Sequence, residues 1–407
     1  MADLVKPGSP GEVADIVRRA LRSRTPLEIL GSDSKRNLGR PVTSSRRVAL
    51  AGLSGILLYE PSELVLTARA GTPLAAIERE LQAHRQCLAF EPANLGGLLG
   101  NGRGAGTIGG AIACNSSGPR RIKAGAARDH ILGFKAVTGR GEAIKSGGRV
   151  MKNVTGFDLS KLMAGSYGTL AVLAEVTIKI WPAPERVCTL LAFGLADADA
   201  LSALNAAAGS PLDVSGFAHL PARVAGRSRV AEVTNAKMAV TAFRVEGIDV
   251  SVASRVAALK KQIGGKAELG ELDDLNSRHF WREVRDLAVL PGDDSNTVWR
   301  LSLPPARAVA TVEEITAAFD ADWFYDWAGG LVWLAPPPGQ ERNIRAVRDP
   351  VRAAGGHATL VRGSESLRAD APAFEPLEPA LMRLTRRIKD GFDPQRILNP
   401  GRMYPEL

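Results

Sequence analysis

Between Asn94 and Arg121 the chain reads NLGGLLGNGRGAGTIGGAIACNSSGPRR, and eight of the fifteen residues from Gly96 to Gly110 are glycine. A backbone this bare either threads a tight path or leaves its main chain open to close approach by a bound anion. Inside the stretch, Gly104, Gly106 and Gly109 fit G-x-G-x-x-G, with Asp129 following at about the spacing of a dinucleotide fingerprint. That fingerprint works only where the first glycine ends a buried strand and the last opens a sustained helix. Here a glycine-rich loop precedes the match and Ser, Gly and Pro follow it, so we read no Rossmann unit.

The rest of the chain narrows the class. With 407 residues, 45% hydrophobic and 23% charged, it is long enough for two or three packed domains. No run reaches the roughly 18 to 20 apolar residues of a membrane span, and the N-terminus MADLVKPGSPGEV has neither a basic n-region nor an apolar h-region. We expect a cytoplasmic protein. Cys87, Cys114 and Cys188 stand too far apart for a disulfide framework, a zinc site or an iron–sulfur cluster. His84, His130, His219, His279 and His357 form no H-x-H or H-x-x-x-H pair, so no metal is expected. The formal charge of +9 is spread along the chain, mostly as arginine, without a tract or interleaved aromatics. It reads as a solvated basic surface rather than a nucleic-acid footprint, and it allows peripheral contact with anionic lipid on the inner face of the cytoplasmic membrane.

SPGEVADIVRRALRS predicts a helix capped by Ser9, with Glu12 three residues on, Pro10 in the first turn and Val13, Ile16, Val17, Ala20 and Leu21 on one face. The strand PLEIL follows, then the turn-rich GSDSKRNLG from Gly31 to Gly39. This loop is either an anion-binding nest beside Lys35 or Arg36, or a plain surface connection. ELVLTAR predicts a strand leading into a helix capped by Thr72, with Pro73 in its first turn and Leu74, Ile77 and Leu81 inward. A hairpin turns at Gly139 and Gly141. In LAVLAEVTIKIWPAPE, Val172, Ala174, Val176, Ile178 and Ile180 alternate onto one face until Pro182 and Pro184 stop the strand.

We place a domain boundary there, giving domains over 1–185 and 186–370 and a C-terminal segment over 371–407. In the second domain glycine thins, alanine rises and five of the six tryptophans appear. Strands such as CTLLAFG, MAVTAFRV, TVWRLSL and GLVWLAP alternate with helices such as DVSVASRVAALKKQI and TVEEITAAF, which predicts an α+β layer of antiparallel sheet with helices on one side. Trp299, Trp323, Trp327 and Trp333 read as core or interface. The last segment, an amphipathic helix followed by FDPQRILNPGR, is expected to pack back against the first domain.

Read in order, GSDSKRNLG, TIGGAIACNSSGPRR, KNVTGFDLSKLMAGSYGTLAVLAEVTIK and FDPQRILNPGR resemble the FAD-binding domain of the vanillyl-alcohol oxidase and p-cresol methylhydroxylase (PCMH-type) superfamily. Within that superfamily the chain is most similar to the FAD-binding subunits of bacterial glycolate oxidases. The resemblance implies an α+β fold: a two-subdomain PCMH-type FAD-binding domain plus an α+β cap domain with antiparallel sheet. It implies one cofactor wall at Gly31, Ser32, Asp33, Ser34 and Lys35, and another at Pro92, Gly109, Gly110, Asn115, Ser117 and Gly118. Gly165, Ser166, Gly168, Thr169 and the backbone near Val172 would meet the adenosine half, and Asn399 the flavin end. Lys152, Asn153 and Asp158 are further candidates, although Asp158 is equally well placed to cap a helix. Some relatives attach FAD through a histidine in the first loop; none occurs between Gly31 and Gly39, so FAD is expected to be non-covalent.

The resemblance also says what is missing. Catalytic 2-hydroxy acid dehydrogenases of the superfamily carry a histidine-rich motif of the H-G-D-G-N-x-H kind, and this chain has nothing similar. A base for the hydroxyl proton and a cation for the carboxylate are needed, and no catalytic residue is assigned here. The expected role is therefore the FAD-binding subunit of a complex oxidising a small 2-hydroxy acid, with a catalytic FAD subunit and an iron–sulfur subunit as partners. The alternatives are a self-sufficient FAD-dependent 2-hydroxy acid dehydrogenase and a non-catalytic scaffold of the same fold.

Overall fold

A computed structural model describes all residues except 1–2, 45, 100–105, 150–155, 293–295 and 341–342. The chain divides into two compact units. The first comprises Met1–Gly118, Gly125–Ala183 and Pro372–Leu407, and the second Pro119–Ala124 and Pro184–Ala371.

In the first unit, helix Pro10–Ser23 begins as its sequence requires. Ser9 accepts a hydrogen bond from the Glu12 N–H at 3.2 Å while Glu12 reaches back to the Gly8 N–H. Its face of Val13, Ile16 and Val17 packs on a parallel sheet ordered Asp3–Val5, Arg46–Ala49, Leu27–Leu30. The C-terminal segment adds to the same sheet, where Leu398 bridges Leu27 in parallel and Ile397 and Leu398 join the core. A second, antiparallel sheet runs Ile56–Glu60, Val65–Arg69, Ala171–Lys179, Ile131–Thr138, Ala143–Gly147. Helices Leu74–Ala83 and Ile108–Ala113 cover it through Leu74, Ile77, Leu81, Ile108 and Ile112. The hairpin at Gly139 and Gly141 forms as expected, with Gly141 in the left-handed region.

Two local expectations are corrected. Thr72 does not cap the helix that follows: Pro73 occupies that position, and the Thr72 hydroxyl instead bonds Arg69 O at 2.7 Å and Gly55 O at 3.1 Å, closing the preceding turn. Nor does Val172 share a face with Val176 and Ile178. The pairing shifts so that Lys135 opposes Glu175 but Ala136 opposes Leu173, and the extra residue reverses the alternation. Val172 therefore packs with the first helix, whereas Ala171 and Leu173 join Val176 and Ile178.

The second unit is built on an eight-stranded sheet, antiparallel throughout, ordered Glu268–Leu272, Arg186–Phe193, Val240–Gly247, Gly216–Leu220, Asp322–Asp326, Leu331–Ala335, Val298–Ser302, His357–Arg362. Helices Asp197–Ala208, Asp249–Ile263, Ala308–Ala318 and Ile344–Ala353 cover one face. Contrary to expectation, helices are not confined to that face. Helix Asp274–Asp286 meets the side chains that alternate away from the main core: Trp281 Nε1 donates to Thr189 Oγ1 at 2.9 Å, and Arg244 lies over the Trp281 ring. The near-continuous apolar run Val187–Ala192, buried on both faces, accommodates this. Trp299 and Trp333 are buried, and Trp323 and Trp327 half-buried.

Candidate functional site

Strand Leu27–Leu30 ends at the edge of a cleft within the first unit that holds about 780 Å³ of non-protein space, its open mouth included. This lies within the range of about 300–1,000 Å³ usual for cofactor sites. Gly31, Ser32, Asp33, Ser34 and Lys35 form one wall, and Gly109 and Gly110, with Ala113 and Cys114, form another. Ser166, Tyr167, Gly168 and Asn399 close the third side.

The glycines serve two purposes. A β-carbon on Gly31 would overlap the Thr107 hydroxyl, and one on Gly109 would stand 2.8 Å from Ala70 O. These two let the walls meet. Gly106, at φ 86°, lies where a β-carbon would be 2.8 Å from Ser34 Oγ and 2.9 Å from Lys35 Nζ. Gly168, at φ 68°, would place one 2.9 Å from Asn399 Nδ2. Thr107 caps helix Ile108–Ala113 by accepting from the Gly110 N–H at 3.2 Å.

In the first loop Asp33 is left-handed at φ 68°, and the main-chain N–H groups of Ser32 and Ser34 have no acceptor among the described residues. A left-handed residue within a turn aims neighbouring N–H groups to one side, the geometry of an anion-binding concavity. Positive charge surrounds it. Arg36 grips buried Glu28 with both arms at 3.1 and 3.3 Å, and Arg402 reaches the same carboxylate at 3.9 Å and Lys35 O at 3.4 Å. Burial pulls the Arg402 pKa down, while Cys114 and Glu28 oppose that. Burial also raises Asp33 and Cys114, so Cys114 is a protonated thiol at neutral pH. Lys35, Arg36 and Arg402 against Glu28 and Asp33 leave this end of the cleft net cationic.

Several other sequence-nominated residues stand behind the lining. Pro92 is buried in a segment braced by Gly118 N–H to Phe90 O and Ala93 N–H to Ser116 Oγ. Asn115, at φ 49°, accepts from the Arg128 N–H, and Ser117 accepts from the Ala127 N–H. Gly165, at φ 85°, donates to Ile112 O, and the Thr169 hydroxyl donates to Ser166 O. Val172 is core. Asp158 caps helix Leu159–Met163 through the Lys161 N–H. Asn399 lines the cleft, but its amide bridges the Ile29 N–H and Tyr167 O, each at 2.8 Å. Lys152 and Asn153 lie outside the described residues.

Sequence reasoning did not nominate Thr107, Tyr167, Leu173 or Arg402. Tyr167, left-handed beside Gly168, was signalled only by the Gly-Ser-Tyr-Gly turn. Leu173 was hidden by the bulge. Among the described residues no His, Cys, Asp and Glu cluster suits a metal ion, and no helix is long and apolar enough to cross a membrane.

A cationic cleft between a parallel and an antiparallel subdomain, with main-chain N–H groups at one end unpaired among the described residues, defines the class: a protein built to hold a dinucleotide diphosphate without a Rossmann helix. The chain belongs to the FAD-linked oxidase family. Residues 2–147 match the family model described as an FAD binding domain, and residues 374–403 match the C-terminal domain of FAD linked oxidases. The chain is 35% identical to glycolate oxidase subunit GlcE of Escherichia coli over 96% of each chain. It is 28% identical to a D-2-hydroxyglutarate dehydrogenase of Xanthomonas citri, over 98% of this chain and 88% of that one. The solved structure of 4-ethylphenol oxidase from Gulosibacter chungangensis shares the fold, with a TM-score of 0.73 at 15% identity over 99% of this chain and 89% of that one. FAD is the cofactor these residues suit.

Proposed function

We propose that the chain is the FAD-binding subunit of a glycolate oxidase complex, which converts glycolate to glyoxylate with a catalytic flavoprotein subunit and an iron–sulfur subunit as partners. The observation that carries this reading is the 35% identity to a glycolate oxidase subunit along nearly the whole of both chains. When bound, FAD supplies a two-electron acceptor. The chain's own residues hold it. Ser32 and Ser34 offer main-chain N–H groups and Lys35 and Arg402 offer charge to the diphosphate, while Gly106 leaves room for the Ser34 and Lys35 side chains and Gly168 for the Asn399 amide. The cofactor is held without a covalent bond, in keeping with a described lining that contains no histidine. The complex works on the cytoplasmic side, and any attachment to the membrane is peripheral.

The test is an absorbance spectrum of the chain purified alone with added FAD and then given glycolate without oxygen. A bound flavin that stays oxidised until the partner subunits are added supports the reading. Bleaching by the lone chain makes it a complete dehydrogenase, and no bound flavin makes it a scaffold.

A further inference from the structure

Glu28 is the one acid on a strand that otherwise serves the core. Leu27 and Ile29 join the core around helix Pro10–Ser23, so the side chain between them leaves from the opposite face of the parallel sheet. There it is buried among guanidinium groups from distant parts of the chain. Arg36 Nε and Arg402 Nη1 reach the same carboxylate oxygen, Oε1, at 3.1 and 3.9 Å, and Arg36 Nη2 bonds Oε2 at 3.3 Å. Arg47, the register partner of Glu28 on the adjoining strand, brings a third positive charge to that face. Among the described residues no other carboxylate pairs with Arg36 or Arg402. Both of these arginines line the cleft, and Glu28 stands behind them.

We propose that Glu28 is the positioning residue of the diphosphate end of the cleft: it holds Arg36 and Arg402 side by side against the cofactor, although its own charge is of the wrong sign to bind one. Two guanidinium groups directed at one oxygen repel each other unless a carboxylate lies between them. Arg36, with 40% of its side chain exposed, has water to turn to, whereas Arg402, at 8%, has not. The second bond of Arg402, to Lys35 O at 3.4 Å, fastens the C-terminal segment to the first loop. Without Glu28, Arg36 swings toward solvent, Arg402 is left as an uncompensated buried charge, and the loop loses this anchor. Charge alone predicts the opposite effect, since removing a carboxylate makes the cleft more cationic and should tighten its hold on a diphosphate. The sign of the change therefore separates positioning from simple electrostatics. The inference rests on the reading of this cleft as the FAD site, and not on which complex the chain joins.

The test measures dissociation constants for FAD, ADP and adenosine on the full chain stripped of cofactor, in wild type, Glu28→Gln, Glu28→Asp and Arg402→Met, with circular dichroism to check that each is folded. ADP carries the diphosphate and adenosine does not. We expect Glu28→Gln to weaken FAD and ADP by at least about tenfold and adenosine by less than about twofold. Glu28→Asp keeps the charge but is one methylene short of reaching both arginines, so its loss should be intermediate and show the same split between ADP and adenosine. If Glu28→Gln does not fold, that split in Glu28→Asp decides the matter. Unchanged or tighter FAD binding in Glu28→Gln overturns the proposal, and leaves the cleft reading standing if Arg402→Met still weakens FAD. Equal losses for ADP and adenosine make Glu28 a structural residue only and also overturn it. A wild-type chain that binds ADP no better than adenosine, or an Arg402→Met variant that binds FAD as wild type does, overturns the diphosphate reading of this end and the proposal with it.

Discussion

Lys389 and Asp393 face each other one helical turn apart, both closed to solvent, with Nζ 2.8 Å from Oδ2. The ammonium also donates to Thr169 O at 2.7 Å and Leu398 O at 3.0 Å, so all three of its protons are used. Asp393 accepts in turn from the main-chain N–H groups of Ile397 and Leu398. The pair ties the end of the C-terminal helix to the turn carrying Gly168 and to the Leu398 bridge that precedes Asn399, two parts of the cleft. Gly139 makes the room, since a β-carbon there would overlap the Asp393 carboxylate. Burial pulls the Lys389 pKa below its ordinary value, with Asp393 opposing.

Removing one partner from such a pair leaves an uncompensated buried charge, which costs on the order of 3–5 kcal/mol. We expect Lys389→Met to lower the denaturant midpoint by a corresponding amount, and Asp393→Asn to do so less because the amide keeps an acceptor for Leu398. Since the cleft is tied through this pair, FAD affinity should fall with it. An unchanged midpoint in Lys389→Met removes the pair from any account of stability.

Gly31 offers a test of how the cleft closes. Its missing β-carbon is filled by the Thr107 hydroxyl, which also caps a helix. Gly31→Ala alone should push the walls apart and weaken FAD binding by about tenfold or more. Thr107→Ala alone costs about 1 kcal/mol of capping. In the double variant the clash is gone, so the two effects should add to less than their sum. Calorimetric FAD titrations of the four proteins close this cycle, and strict additivity would refute the contact.

Much of this was legible in sequence where local chemistry decides. Ser9 and Glu12 announce the first helix because both caps lie within four residues. The Gly31–Lys35 loop and Gly109–Gly110 were found because bare backbone after a strand has few uses. What escaped depended on distant partners. The bulge that turns Leu173 toward the cleft exists only in the pairing with Lys135 and Ala136, about forty residues away in a ladder no local pattern encodes. Arg402 joins the site only because the tail returns to the strand Leu27–Leu30. Asn115 and Ser117 have the chemistry of ligand contacts, and in the structure that chemistry is spent on Arg128 and Ala127 N–H groups.

Cys114 reports on the same cleft. It lines the wall opposite Lys35, and burial holds its pKa above the ordinary thiol value. Cys188, in the second unit, is pushed up to about 11, first by burial and then by Glu271. Both should react slowly with a maleimide at pH 7.5. Saturating FAD should slow Cys114 further, by about tenfold, and leave Cys188 unchanged. Mass spectrometry of the labelled peptides distinguishes the two, and equal labelling of Cys114 with and without FAD would place the cofactor elsewhere.

Glu246 governs how the second unit responds to acid. Arg120 holds its carboxylate with two bonds of 2.7 and 3.0 Å, and Arg244, itself buried, lies 3.8 Å away. Burial alone would raise the pKa of Glu246, but Arg244 and then Arg120 outweigh it and hold the carboxyl far below its ordinary value of 4.5. A depressed carboxylate pKa means that the unfolded chain binds the proton more tightly. The stabilisation is thus fully present above about pH 4.5 and is lost progressively as pH falls toward the folded value. Five of the six tryptophans lie in this unit, so their fluorescence reports its unfolding. We expect urea midpoints to fall between pH 7 and pH 3.5 in the wild-type chain. Glu246→Gln should be less stable at pH 7, by about 3 kcal/mol, and lose less on acidification. If both proteins lose the same amount between the two pH values, the acid response lies in other carboxylates and not in the Arg120 clasp.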